Sequence, residues 1–240
     1  VLQVFEAGKP PPTAEGLVAE LRARGVDVLL LSTERFMERA AELATRTTLV
    51  VGDFDWTRRA LRELGVRMPR APDYPPCLTP HLHRRVWRST LGEVRELLRA
   101  DPARHVFIKP ADDTKAFSAI VEPKDAMIDM LCDGLPGVVQ SKPLTMAVHC
   151  ADVVDVVEEH RAYVVRGELR CLARYNVGGG GAHSAPPSLL DRAVVDDAVR
   201  TFAASDDALD GCSVDFGVLR RGDGSHVTCL IEVNEGFSLG

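Results

Sequence analysis

Oxygen-bearing side chains recur in two apolar runs near the carboxyl end of the chain. Glu232 and Asn234 lie two residues apart in the run 230–235, and Asp215 lies in an earlier run. Side chains alternate along a strand, so Glu232 and Asn234 point to the same side. The turn-like residues 221–224 between the runs predict a hairpin. Carboxylate and amide oxygens suit Mg²⁺, so the pattern predicts a magnesium site at Asp215, Glu232 and Asn234. The alternative is the solvent face of an amphipathic strand.

Lys109 ends the apolar strand predicted at residues 106–110, directly before a polar loop. A lysine in this position can direct its ammonium at a phosphate. The alternative is an edge lysine whose ammonium reaches water. The loop that continues to Ser118 could fold over the phosphates. It contains no glycine, and Lys115 would supply positive charge in its place.

Three polar-headed residues, Glu159, Arg161 and Tyr163, share one face of a predicted strand. The next strand of the same predicted hairpin carries Arg170 and Arg174. Arginine binds anions through its bidentate fork, so this face predicts an anion-binding surface. The alternative is a cross-strand ion pair on an exposed sheet.

Arg161 and Arg174 are predicted to lie almost opposite each other, because the hairpin turns near Gly167. We expect both guanidinium groups to point into the cleft that holds Glu232. Two unpaired guanidinium groups there would repel each other and favour a bound anion.

The segment Gln140-Ser141-Lys142-Pro143-Leu144 follows a strand predicted at residues 137–140. Its backbone could pair with the edge of a purine base. The alternative is a plain exit from a strand into a loop.

The first 66 residues alternate between apolar runs and helical spacing. This order predicts a small parallel sheet flanked by helices. Glycine-rich phosphate-binding motifs are missing from it, so we expect a supporting domain. The predicted strands cover residues 1–5, 26–31 and 48–51, and the predicted helices cover residues 13–24, 34–44 and 56–64.

A proline-rich stretch, residues 69–80, indicates an extended linker. Residues 83–98 then predict a basic amphipathic helix that carries Arg84, Arg85 and Arg88.

Composition excludes several classes of protein. The chain of 240 residues is 45% hydrophobic, carries a net charge of −6 and contains 5% aromatic residues. These values argue against a nucleic-acid-binding surface. No run of 18 apolar residues predicts a membrane span. The six scattered cysteines indicate reduced, mostly buried thiols and a cytoplasmic location.

The order of these motifs over residues 80–240 resembles the ATP-grasp superfamily. It is most similar to the small clade named for two arginines and one lysine. The resemblance implies an ATP-grasp fold, of α/β class with an α+β C-terminal part, preceded by the small parallel-sheet domain. We therefore expect domains at residues 1–79 and 80–240, the second with subdomains at about 80–137 and 138–240. The motifs are Ile108-Lys109-Pro110, Glu159-x-Arg161, Arg174-Tyr175, Val214-Asp215-Phe216 and Glu232-Val233-Asn234.

The resemblance also implies a role for each candidate residue. Arg161 and Arg174 would steady the transferring phosphoryl group or the acceptor carboxylate. Asp215, Glu232 and Asn234 would hold magnesium. The nucleotide-binding set would comprise Lys109, Lys115 and Arg85 at the phosphates, Gln140, Lys142 and Leu144 at the adenine, and Glu159.

The implied activity is an ATP- and Mg²⁺-dependent carboxylate–amine ligase that works through an acylphosphate. Its substrates would be a small-molecule or peptide carboxylate and an amine, with no nucleic acid or membrane partner. Two alternatives remain on the same fold: a non-catalytic module that binds nucleotide or peptide, and a small-molecule kinase. The sequence is also compatible with a homodimer.

Overall fold

A computed structural model of the chain describes residues 2–3, 12–43, 45, 50–52, 54–67, 72–111, 116–177 and 187–236. The chain divides into two compact units. Unit 1 comprises Val1–Arg70 and Glu235–Gly240, and unit 2 comprises Ala71–Asn234.

Unit 1 contains the predicted parallel pairing. Strand β1, Leu2–Gln3, pairs in parallel with β2, Leu30–Leu31. The helices at residues 33–43 and 54–63 share an apolar core that contains Phe36 and Trp56, and the rings of these two residues meet edge to face at 5.1 Å. The first half of the strand predicted at 48–51 lies outside the described residues. The helices of this unit are α1 Pro12–Ala23, α2 Thr33–Leu43 and α3 Phe54–Glu63.

Unit 2 is built on two four-stranded sheets. We call the first the lysine sheet, because it carries Lys109. Its order is β3-β6-β4-β5, and all of its pairings are antiparallel. Its strands are β3 Val86–Thr90, β4 Val106–Pro110, β5 Ile120–Glu122 and β6 Ala147–Ala151.

The second sheet, which we call the acidic sheet, carries Asp215 and Glu232. Its order is β10-β9-β7-β8, so β9 and β10 are neighbours, as the predicted hairpin requires. Gly167 closes the hairpin between β7 and β8 at φ 75°, in the left-handed region that favours glycine. The strands are β7 Val156–Val165, β8 Glu168–Val177, β9 Gly211–Arg220 and β10 His226–Glu235.

Helices cover one face of each sheet and leave the other faces for the site. Helix α4, Leu91–Ala100, and helix α5, Ile128–Asp133, pack on the lysine sheet in a core that includes Ile108 and Val148. Helix α6, Arg192–Ala203, and the 3-10 helix Pro76–His81 pack on the acidic sheet.

The helix predicted at residues 83–98 is wrong in its first half. Strand β3 occupies Val86–Thr90, and α4 begins only at Leu91. Thr90 caps the helix, because its side chain accepts a bond from the amide of Glu93 while the Glu93 side chain accepts from the amide of Thr90. The sequence contains the Thr-x-x-Glu signature of this capping box. The prediction began the helix earlier, at residue 83, because the arginines there have helical spacing.

The predicted domain boundary after residue 79 also shifts, since unit 2 begins at Ala71. Asp73 pairs with Val233 through two backbone hydrogen bonds of 3.1 and 2.8 Å, and Leu78 is fully buried. Residues 72–79 are therefore part of unit 2 rather than of a linker.

The predicted subdomain boundary near residue 137 is likewise wrong. Strand β6 pairs with both β3 and β4, so the lysine sheet extends to Ala151. The strand predicted at residues 137–140 is reduced to one bridge between Leu135 and Val139. Among the described residues, no helix is long and apolar enough to cross a membrane.

Candidate active site

The three predicted magnesium ligands lie together on one face of the acidic sheet. The Asn234 amide nitrogen lies 3.0 Å from Glu232 Oε1 and 3.4 Å from Asp215 Oδ2. The neighbouring strands β9 and β10 bring these residues together from the two arms of one hairpin. Asp215 is 2% exposed, so its carboxylate must be satisfied inside the protein.

Lys109 reaches the same cluster from the lysine sheet. Its Nζ atom lies 2.7 Å from Glu232 Oε2 and 2.6 Å from Asp73 Oδ1, and the Lys109 side chain is 12% exposed. The Tyr74 ring covers a further side of the ammonium, with its centroid 4.8 Å from Nζ. Lys109 is therefore held by two carboxylates and an aromatic ring rather than extended into water.

Asp73 is fixed by its backbone as well as by its charge. Its two backbone hydrogen bonds to Val233 place it beside the strand position between Glu232 and Asn234. Asp73 adopts φ 49°, a left-handed conformation that Asp and Asn tolerate better than most residues. Its second carboxylate oxygen lies 3.4 Å from Nε2 of His149, which sits opposite Lys109 in the lysine sheet.

Arg161 faces the cluster from β7 and is tied to one of its members. Two hydrogen bonds of 2.8 Å join its guanidinium to the two carboxylate oxygens of Asp215. The Tyr175 ring lies 5.3 Å from the Arg161 guanidinium carbon and belongs to the same group. The prediction that Arg161 faces this cleft agrees with the structure, and the prediction that it is unpaired is wrong.

Arg174 lies on the opposite face of the acidic sheet. It sits opposite His160 in the register, whereas Arg161 sits opposite Ala173. Consecutive residues of a strand point to opposite faces, so the two arginines diverge. The register shift beside His160 leaves Tyr175 as the extra residue of a β-bulge next to Arg174. The predicted pairing of Arg161 and Arg174 in one cleft is therefore wrong.

Arg174 instead completes a buried polar network. Its guanidinium lies 3.0 Å from Glu158 Oε1, and the Glu158 side chain is 4% exposed. The same carboxylate accepts hydrogen bonds from the Ser188 hydroxyl at 2.9 Å and the Leu189 amide at 3.1 Å, and His160 Nε2 lies 3.0 Å away. This network anchors the chain that leads into α6.

A cavity of about 180 Å³ opens beside the cluster, and residues of both sheets line it. We call it the intersheet cavity. Its apolar walls include Phe107 and Ile231, and Glu159 and Glu232 mark its polar side. The chain that joins the two sheets, Asp152-Val153-Val154, forms another wall. A flat apolar group with a polar edge fits this combination of surfaces.

Charge pairing sets the ionisation of the cluster. Burial by itself raises the pKa of Glu232, but the ammonium of Lys109 and the hydrogen bond from Asn234 hold that pKa below its ordinary value. Burial likewise opposes ionisation of Asp73, and contacts with His149 and Lys109 lower its pKa. Burial raises the pKa of Asp215 against the opposing effect of Arg161.

The donor set fits a hard divalent cation that shares its shell with phosphate. Asp215 and Glu232 offer carboxylate oxygens, and a half-turn of the Asn234 amide would present its oxygen at the same place. Within the described part of the chain, no three His, Cys, Asp or Glu side chains form a metal site by themselves. The fit therefore depends on Asn234 and on oxygens of a ligand.

Comparison with known families and structures identifies this arrangement. Residues 81–240 match the model of an ATP-grasp domain family, described as family 2 of the clade named for two arginines and one lysine. This match covers more than half of the chain. The chain is an ATP-grasp protein. Comparison with curated protein sequences finds no match.

Solved structures share the ATP-grasp fold at low identity. The ATP-grasp RimK domain protein from Sphaerobacter thermophilus is 15% identical with a TM-score of 0.53, over 98% of this chain and 90% of the other. D-alanine–D-alanine ligase from Bacillus anthracis is 14% identical with a TM-score of 0.51, over 98% and 86%. N5-carboxyaminoimidazole synthetase from Staphylococcus aureus is 9% identical with a TM-score of 0.50, over 98% and 69%.

One predicted phosphate contact, Arg85, lies away from the ATP-grasp cleft. Arg85 stacks on Trp87 at 4.8 Å, and Trp87 packs into the core under α4. The cleft-facing arginine of β3 is Arg88, which pairs with His149 in the register. Arg85 misses the cleft because the predicted helix is a strand, in which alternate residues face opposite sides.

The predicted adenine edge also lies elsewhere. The amide of Lys142 donates to the carbonyl of Leu131, and the carbonyl of Leu144 accepts from Gly92. Lys142 and Leu144 thus lie beside helices α5 and α4, and Gln140, Lys142 and Leu144 are not part of the cavity lining. Lys115 and the loop 112–115 lie outside the described residues.

Sequence reasoning missed several residues of the ATP-grasp cleft. Asp73 and Tyr74 were hidden in a stretch whose prolines indicated a linker. Arg84 carries no motif, yet its guanidinium donates to the carbonyls of Leu230 and Ile231 at 2.6 and 2.9 Å. Tyr175 was considered only as a neighbour of Arg174, because no feature of the sequence predicts the β-bulge that directs its side chain into the cleft.

Proposed function

We propose that this protein is an ATP-dependent ligase that joins a carboxylate to an amine in the presence of Mg²⁺. The observation that carries the proposal is the contact between Lys109 and Glu232, which joins the two sheets beside the intersheet cavity. A nucleotide in that cavity would direct its phosphates towards this contact.

Residues on four strands, β4, β7, β9 and β10, would contribute to binding and catalysis. Glu159, at the cavity, would contact the base or ribose, and Lys109 would bind phosphate oxygens. Asp215, Glu232 and Asn234 would hold Mg²⁺, which when bound neutralises charge on the phosphate oxygens. Arg161 would bind the transferring phosphoryl group or the carboxylate, once that anion competes with Asp215 for its guanidinium.

The proposed reaction has two steps. A carboxylate oxygen of the first substrate attacks the γ-phosphorus of ATP, so that ADP leaves and an acylphosphate forms. The amine nitrogen then attacks the acyl carbon, the carbon–oxygen bond to phosphate breaks, and the nitrogen loses a proton. Preorganised charge rather than a strong base supports both steps.

A non-catalytic nucleotide-binding module is the second candidate. It is favoured by the pairing of Lys109 and Arg161 with carboxylates of the cleft itself. Such pairing weakens the attraction for an incoming anion, and turnover would require these pairs to open.

The decisive experiment combines ADP release with product masses. The protein is incubated with ATP, Mg²⁺ and pooled amino acids and short peptides. A ligase yields ADP and a condensation product, whereas a kinase yields ADP and a stable phosphorylated product. Nucleotide binding without ADP release would support the non-catalytic module and contradict the proposal.

A matched pair of variants tests where the activity comes from. Glu232→Gln should lower turnover by about 100-fold or more, comparable to the loss of one transition-state contact. Glu168→Gln, which removes an exposed carboxylate from β8, should leave turnover unchanged. Equal activity of the two variants would exclude the cluster as the catalytic centre.

A further inference from the structure

Asp73 brings a carboxylate to the cleft from outside the two sheets. It lies eight residues before the start of the family match at residue 81. Its Oδ1 atom lies 2.6 Å from Lys109 Nζ, slightly closer than Glu232 Oε2 at 2.7 Å. Asp73 is therefore a direct partner of the residue that would bind phosphate.

The two carboxylates that hold Lys109 differ in how firmly they are placed. Asp73 is fixed by two backbone hydrogen bonds to Val233 and by the contact of its second oxygen with His149. Glu232 contacts Lys109 and Asn234 through its flexible side chain. If Glu232 turned towards a metal ion, the backbone pairing with Val233 would keep Asp73 beside Lys109.

This difference fixes the charge that a nucleotide meets. Lys109 paired with Asp73 carries no net charge, so it offers metal-free ATP little attraction. Asp215 is paired with Arg161 and Asp73 with Lys109, so Glu232 is left as the extra negative charge of the cluster, which repels bare phosphates and attracts a divalent cation. Around Lys109, the cluster therefore favours phosphates that arrive together with their cation.

We propose that Asp73 is a specificity-determining residue that makes the site discriminate Mg²⁺-bound ATP from metal-free ATP. The inference rests on the proposed function, because it takes the cleft to bind ATP phosphates at Lys109. Asp73 acts by keeping the Lys109 ammonium neutralised. Its backbone pairing argues against a gate that swings away, because such movement would break both hydrogen bonds to Val233.

The test is the substitution Asp73→Asn, which removes the charge and preserves the shape. Asparagine tolerates the left-handed conformation at this position, so the backbone pairing should persist. The dissociation constant of ATP is measured by calorimetry, once with EDTA and once with Mg²⁺. We expect metal-free ATP to bind about tenfold more tightly, since one repelling charge is lost. In the presence of Mg²⁺, the dissociation constant of ATP should stay within about threefold of the value for the unsubstituted protein, so the preference of the site for the metal complex falls.

The direction of the change separates this role from a structural one. Damage to the fold would weaken ATP binding under both conditions, whereas the proposed role strengthens it only without metal. Glu168→Gln also removes one negative charge, from an exposed position on β8, and should change neither constant. An Asp73→Asn protein with unchanged constants, or with both constants weakened alike, would overturn the inference.

The outcome for the unsubstituted protein keeps the two proposals apart. If it binds no ATP under either condition, the proposed function fails and the inference fails with it. If it binds ATP and forms product while Asp73→Asn keeps the original preference for the metal complex, only the inference about Asp73 fails.

Discussion

Replacing Lys109 with methionine removes the only side-chain cation that contacts both Asp73 and Glu232 among the described residues. Methionine keeps the apolar length that packs near Tyr74 but leaves two largely buried carboxylates facing each other. Breaking a buried ion pair costs about 3–5 kcal/mol, and partial exposure of these groups reduces the expected cost to about 2–3 kcal/mol. For a chain of this size, that loss lowers the unfolding midpoint by roughly 4–12 °C.

The pH dependence of this loss gives the sharper test. With Lys109 present, the pKa values of Asp73 and Glu232 lie below their ordinary values of 3.8 and 4.5. Their contribution to stability is therefore complete above those values and disappears as the pH falls through the lowered pKa values. Without Lys109, burial raises the pKa of both groups, so protonation stabilises the variant in acid.

We therefore expect the gap in unfolding midpoint between the two proteins to be widest near pH 7, to begin narrowing above about pH 4.5 as the variant's carboxylates protonate, and to narrow further below it. Thermal unfolding in a series of buffers measures it. Lys124→Met, at an exposed position, serves as the control and should follow the unsubstituted protein at every pH. A gap that stays constant across the series would refute the reasoning, and so would the absence of any gap at neutral pH.

Three further outcomes follow from the structure. Arg174→Ala should lower the unfolding midpoint, because Glu158 loses a buried partner, and leave the affinity for ATP unchanged; weaker ATP binding at full stability would contradict this. Arg161→Lys should lower turnover by about tenfold or more, because lysine cannot replace the bidentate fork, and kinetics at saturating ATP would measure it. Iodoacetamide should modify the exposed Cys171 and spare Cys150, which is buried and whose pKa is raised to about 12. The folded protein would be labelled first, and peptide mass spectrometry would then show which cysteine carries the label.

The strands that carry the acidic cluster were predictable because their signals are local. Alternation places Glu232 and Asn234 on one face, and a glycine-containing turn returns the chain past Asp215. The sequence signal for the strand that ends near Lys109 is equally local. Each of these patterns spans only a short stretch of chain, and tertiary packing did not override them.

Other positions depended on register and on distant contacts, which one sequence does not reveal. The bulge between Tyr163 and Val164, where Arg170 is the extra residue of β8, decides which face Arg174 occupies, and bulges leave no reliable mark in composition. Arg88 rather than Arg85 faces the cleft, because the segment is a strand and not a helix and the side-chain period changes from 3.6 to 2. Asp73 reaches Val233 across most of the chain, and nothing near it in sequence indicates a partner there.

The backbone pairing of Asp73 with Val233 has a consequence for how this domain could be inherited. A protein trimmed to the family match at residue 81 keeps every strand of both sheets and loses the carboxylate that holds Lys109. Transfer of the domain behind a different N-terminal partner would need to include the chain from Pro72 onward. The ancestral unit of exchange would then be longer than the family boundary, and its first residues would be retained for the charge they deliver rather than as a spacer.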